Sequence, residues 1–338
     1  MQEDYRRIMN CIYREEELSN GLFGCQIHNR CHLTEETNSN ACCETCENRL
    51  VPESPEFVAK WYDPLLVLNR RKVPTDSLRG FLGGASVFLI GGGPSSNDLP
   101  LEELNTRGIW SMGVNNVAGH PRFKANSFVC SDPPLKFSHS IWLDPGIMKF
   151  VPIPKMSRSR AKLKIKKNGE FSKLKETVTD APNVWGFKRN SWLSPDDGFF
   201  TSPGACWGNL KAGVLKTGEE KTVCTLFLGL RILRYLGAKQ IFLIGVDHRM
   251  VPGNVYSFDQ GKSDGGCNSN NRQFRIVNDL FCRMQERGSF ERFGLEVFNC
   301  YERSGLRAFP HVPFEQALEI CRDKVERIPD LAEWYDKK

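Results

Sequence analysis

The chain has 338 residues, 40% of them apolar and 25% charged, with 46 Lys and Arg against 40 Asp and Glu for a net charge of +6. That length holds a full-sized core and one large domain with an appendage. No apolar run approaches the roughly 18 residues of a membrane span. The charged opening Met1-Gln2-Glu3-Asp4-Tyr5-Arg6-Arg7, with no apolar stretch behind it, argues against a secretory leader, so a cytoplasmic location is expected.

Residues 1–55 differ in composition from the rest. Six of the thirteen cysteines lie there, with His28 and His32 among them. Clustered cysteines in a reducing compartment bind metal more often than they form disulfides. Cys43-Glu-Thr-Cys46 has the spacing of one zinc knuckle, and Cys25, His28, Cys31 or His32 could complete a tetrahedral site for a structural zinc. Five residues rather than two separate Cys25 from Cys31, so the ligand set stays open, and free or buried thiols on a small cap are the alternative. The other seven cysteines sit singly in apolar contexts and read as core filler.

Residues 56–330 are read as one α/β domain, since from Ser86 strand and helix signals alternate, which predicts a Rossmann-like, mostly parallel sheet with helices on both faces. Ser86-Val-Phe-Leu-Ile90 is a buried strand that runs directly into Gly91-Gly92-Gly93-Pro94, then Ser95, Ser96, Asn97 and Asp98. A short helix is expected over Leu101 to Thr106, and strands over Gly108 to Val114 and Asn126 to Cys130. A basic insertion follows: Lys155 to Lys175 holds nine Lys and Arg against the single acid Glu170. Such a segment suits a nucleic acid or another anionic partner, or is simply a solvated loop. Lys221 to Leu236 is an apolar helix, Gln240 to Ile244 a buried strand, Arg272 to Arg287 an amphipathic helix, Leu295 to Asn299 a last strand and Pro313 to Arg327 a closing helix. The glycine-rich stretch Pro252 to Gly266 is long enough to act as a lid.

Ligands of open α/β sheets collect at the carboxyl ends of the strands. Four such ends carry polar residues here: Gly92 to Ser95, Asn115 with Asn116, Asp132, and Asp247 with His248. The amides of Gly92 and Gly93 with the Ser95 hydroxyl could hold a phosphate. Asn115 or Asn116 offers donor and acceptor to a base or ribose. Asp132 and Asp247 could hold Mg²⁺ or Mn²⁺ or act as base, and His248 could take a proton.

In order and spacing these residues resemble the bacterial lipooligosaccharide sialyltransferases. Gly91, Gly93, Pro94 and Ser95 match that family's first turn, Asn115 and Asn116 its Asn-Gln pair, Thr201 and Ser202 its helix-opening Thr-Ser-Gly, Gly245 and Asp247 its Gly-Ile-Asp, and Tyr256 and Phe258 its Tyr-x-Phe. The histidine that follows Tyr-x-Phe in that family is absent, and Asn268-Ser-Asn-Asn271-Arg272 stands in the interval. The chain is also similar to the 6-hydroxymethylpterin diphosphokinase-like proteins, through the same first turn, Ser131 to Pro133, Gly245 to His248 and Val297 to Leu306. Both resemblances imply a nucleotide-phosphate site. The first implies a nucleotide-sugar donor and transfer of its sugar to a hydroxyl such as that of a glycan, while the Cys-rich module and the basic segment Lys155 to Lys175 make a modified base in DNA an alternative acceptor. The second implies ATP-dependent pyrophosphate transfer, and a non-catalytic nucleic-acid-binding protein is the third expectation.

Overall fold

The computed structural model describes residues 14–17, 23–25, 66–68, 71–73, 78–158, 162–164, 171–173, 176–187, 213–214, 220–221, 224–258 and 263–322. Nine strands make the main sheet: β1 Leu66–Leu68, β2 Arg71–Val73, β3 Ser86–Ile90, β4 Ser111–Val114, β5 Ser127–Val129, β6 Met148–Pro152, β7 Val184–Phe187, β8 Gln240–Ile244 and β9 Glu296–Asn299. Their order is β9-β8-β3-β4-β5-β6-β7-β1-β2. The seven from β9 to β7 are all parallel, and β1 and β2 are added antiparallel beyond β7.

Alternation along β3 and β8 divides the core. Val87, Leu89, Ile241 and Leu243 face a layer formed by α2 (Thr225–Tyr235) and α3 (Asp264–Glu286). Phe88, Ile90, Phe242 and Ile244 face the opposite layer, which holds the 3₁₀ turn Leu101–Asn105, α1 (His139–Leu143) and α4 (Phe314–Cys321). Strands covered on both faces read as continuous apolar runs, which is why β3 and β8 are legible from sequence. Leu89 packs so closely on α2 that a Cβ on Gly229 would lie 2.7 Å from Leu89 Cδ1.

The chain proceeds from β3 outward through β4, β5, β6 and β7, then returns to lay β8 and β9 on the other side of β3. The strand order therefore reverses between β3 and β8. In an open parallel sheet that reversal opens a crevice at the carboxyl ends of the two strands.

Several elements differ from the sequence expectation. β6 and β7 were not anticipated, because β6 carries Lys149 and ends in Pro152. Lys149 is wholly buried and donates to the carbonyls of Asp144, Ile147 and Pro182 at 2.5, 2.9 and 2.8 Å. Burial pushes its pKa down to about 7. α3 begins at Asp264, eight residues before the expected start. Its first turns are rich in Gly and Asn, poor helix formers that tertiary contacts override. Ser263 caps it by accepting the Gly266 N–H at 3.2 Å. Part of the basic insertion folds back as an antiparallel pair, Lys162–Lys164 with Phe171–Lys173. Among the described residues no helix is long and apolar enough to cross a membrane.

Lys149 ties the loops that precede β6 and β7 together through three carbonyls. Lys149→Met would remove its three bonds to these carbonyls and leave Asp144 O only the Ile147 N–H at 3.4 Å, and denaturant unfolding should show a stability loss on the order of 3 kcal/mol.

Candidate functional site

At the reversal point the ends of β3 and β8 meet through their backbones. The Gly91 N–H donates to Ile244 O at 2.8 Å and the Gly93 N–H to Gly245 O at 2.7 Å. A Cβ on Gly91 would lie 2.6 Å from Gly245 O, and one on Gly93 would lie 2.5 Å from Asp247 Oδ1. Gly245 itself has φ +60°. Glycine is required at these positions because the two strand ends touch.

Beside this junction is a cleft of about 750 Å³ lined by Gly91 to Gly93, Asn115, Asn116, Ser131, Asp132 and Thr225, and by the turn Gly245 to Met250. Tyr256 and Phe258 cover one wall, their rings stacked at 5.3 Å and 12°. They lie over Gly92, where a Cβ would be 3.0 Å from the Phe258 ring. Asn270, Gln273 and Phe274 of α3 complete the lining.

Asp247 is buried, 8% exposed, and both its oxygens are engaged. Ser95 N–H donates to Oδ2 at 3.0 Å and Ser95 Oγ donates to Oδ1. Burial raises its pKa, and the two bonds from Ser95 oppose that rise. Ser95 is thus a brace on Asp247, and the cleft lining leaves out both Ser95 and Pro94. The expected phosphate cradle changes accordingly. Gly93 N–H and both Ser95 donors have protein acceptors, and of the expected donors Gly92 N–H alone has none among the described residues.

His248 has φ +48°, uncommon for a bulky residue. Its ring stacks on Phe274, centroids 4.8 Å apart at 13°. Nδ1 is buried without a hydrogen-bond partner, and burial pushes the pKa down to about 4. Asn115 shares this character: φ is +60° and Oδ1 is buried without a partner. Strained backbone joined to unsatisfied polar atoms in one cleft is typical of a working site. Asn116 is used locally, donating to Lys136 O and accepting from Ser138 N, both at 3.0 Å.

Asp132 is exposed at the rim and paired with Lys136 at 3.0 Å. Among the described residues no three His, Cys, Asp or Glu side chains gather as a metal site. Of the expected zinc ligands, Cys25 lies in the strand Phe23–Cys25, while His28, Cys31, Cys43 and Cys46 lie outside the described residues. Thr201 and Ser202 also lie outside them. The helix that opens on the cleft is α2: its first residue Thr225 lines the cleft, with the hydroxyl 3.0 Å from that of Ser131. Cys224-Thr225, directly before an apolar run, was the sequence signal for it. Gln273 and Phe274 are not distinguished by the sequence, since only folding brings α3 to the β8 turn, and Arg249, next to His248 in that turn, carries no motif signal of its own.

No protein-family model, no curated protein and no solved structure matches the chain. The fold and cleft define the class: an α/β protein whose sheet has seven adjacent parallel strands and a cleft of mixed polar and apolar lining at its topological switch point.

With a folded pKa near 4 and an ordinary value of 6.5, His248 should stay uncharged at neutral pH. Its ring C–H resonances should titrate near pH 4 by NMR. The unfolded chain takes up this proton below pH 6.5 while the folded protein does not until about 4. The contribution of His248 to stability is therefore full above 6.5 and declines as pH falls through that window, a slope that His248→Asn should remove.

Proposed function

We propose that the chain is a transferase that binds a nucleotide-sugar donor in the switch-point cleft and moves the sugar to a hydroxyl acceptor, a glycan or a modified base in DNA. The observation that carries this reading is the junction of Gly91–Gly93 with Gly245–Asp247. It puts a buried carboxylate, an unpaired amide at Gly92 and the start of α2 around one cleft. Such a crevice is where parallel α/β sheets take nucleotides.

The roles follow from environment. Asp247, its pKa raised by burial, takes the acceptor proton as the acceptor oxygen bonds to the anomeric carbon. The bond from that carbon to the phosphate oxygen breaks, and its electron pair leaves with the nucleotide. Gly92 N–H, the Thr225 end of α2, Lys136 and Arg249 supply positive potential for the departing phosphate. Burial keeps the His248 ring uncharged at neutral pH, so it adds no charge beside the carboxylate. The basic segment 155–175 is the contact offered to a nucleic-acid acceptor, and binding through it should weaken steeply with salt.

The test is nucleotide release from a panel of UDP-, GDP- and CMP-sugars and ATP, with and without Mg²⁺ or Mn²⁺, and with and without duplex DNA. One sugar nucleotide should be turned over. Asp247→Asn, which keeps an acceptor for the Ser95 N–H, should lower kcat roughly 10²- to 10⁴-fold while the melting midpoint changes little. AMP formed from ATP alone would replace this reading with pyrophosphate transfer. Tight DNA binding with no turnover of any donor would replace it with a binding protein.

A further inference from the structure

The turn after β8 has its carbonyls engaged on one side. Val246 O accepts from Ser304 Oγ at 2.6 Å, and Asp247 O accepts from Gly305 N at 2.8 Å. His248 O lies against Gly305, where a Cβ would stand 2.8 Å away. None of the described peptide bonds is cis. In a trans planar peptide the N–H points opposite to the C=O of the preceding residue. The N–H groups of Asp247, His248 and Arg249 therefore all point away from Ser304 and Gly305. Among the described residues none of the three donates to a protein acceptor, and all three residues line the cleft, whereas Ser304 and Gly305 do not.

The turn is held in this state from a second direction. Asn271 of α3 accepts the Met250 N–H at 2.7 Å and donates to Met250 O at 2.9 Å. The His248 ring rests on Phe274 one turn further along. A left-handed histidine persists only where its surroundings over-determine it, and Ser304, Gly305, Asn271 and Phe274 do so here.

We propose that the N–H groups of Asp247, His248 and Arg249 form a subsite for the nucleobase of the donor, and that Ser304 and Gly305 are its positioning residues. The inference rests on the nucleotide-dependent reading above and adds which part of the nucleotide lies where. On the reading above the phosphates lie at Gly92, Thr225 and Lys136, which leaves the uncharged end of the same nucleotide for these amides. Ring nitrogens and carbonyl oxygens of a base are uncharged acceptors that amides can serve. The phosphates then extend toward Gly92, Thr225 and Lys136.

The probes are the four ribonucleosides, which carry no phosphate, and inorganic pyrophosphate, which carries no base. With the full chain labelled with ¹⁵N-histidine, at least one ribonucleoside should shift the His248 amide resonance, and pyrophosphate should not. Ser304→Ala removes the brace on Val246 O and should weaken that nucleoside about tenfold by calorimetry, leaving pyrophosphate affinity unchanged. Ser304→Thr, which keeps the hydroxyl, should restore binding. Gly305→Ala, which crowds His248 O, should act like Ser304→Ala where it folds. A His248 amide that answers pyrophosphate and no nucleoside, or nucleoside binding indifferent to Ser304→Ala, would overturn the subsite and leave the transferase reading standing. Failure of every nucleoside, of pyrophosphate and of every nucleotide sugar to bind would overturn both.

Discussion

The backbones of β3 and β8 touch just beyond their last ladder bonds, and the site depends on that contact. Two hydrogen bonds, Gly91 to Ile244 and Gly93 to Gly245, carry the pairing past the strand ends. No side chain fits between them, so the glycines are a steric requirement of the junction. Asp247 emerges directly from this contact with its carboxylate held by Ser95, and the cleft opens beside it. A substitution that separated the strand ends by the width of one methyl group would displace carboxylate, amides and cleft wall together.

Burial controls the charge of this region more than ion pairing does. Desolvation lowers the pKa of His248 and raises that of Asp247. Both shifts favour uncharged forms, the response expected where a cleft limits access of water. The rim differs: Asp132 and Lys136 form an exposed pair, and such pairs contribute little to stability. The cleft floor differs from this rim in carrying unpaired amides, hydroxyls and one buried carboxylate.

Lys149 and Asn183 show the same economy at the other side of the sheet. Lys149 has backbone carbonyls as its partners, and Asn183, buried with φ +55°, donates to Pro145 O at 3.0 Å and accepts from Trp185 Nε1 at 2.9 Å. These polar groups fix the loops before β6 and β7 instead of forming a binding surface. They also explain why that half of the sheet was hard to read from sequence, since a lysine and a proline inside a strand contradict an apolar run.

Sequence alone determined the order of β3, α2, β8 and β9, because each is an apolar run bounded by glycine or polar residues and such runs are local signals. It also marked Gly91 to Gly93, Asn115 and Asp247 as cleft residues, because a parallel sheet presents the carboxyl ends of its strands to ligand. Tertiary structure decided what those residues do. Ser95, expected at a phosphate, turned out to brace Asp247, 152 positions away in the chain. Asn116, expected at a ligand, holds the loop at Ser138, and α3 reaches the β8 turn through Asn271 and Phe274. Hydrogen-bond partners far apart in sequence leave no periodic trace, so the direction in which a donor points became known only when the chain was folded.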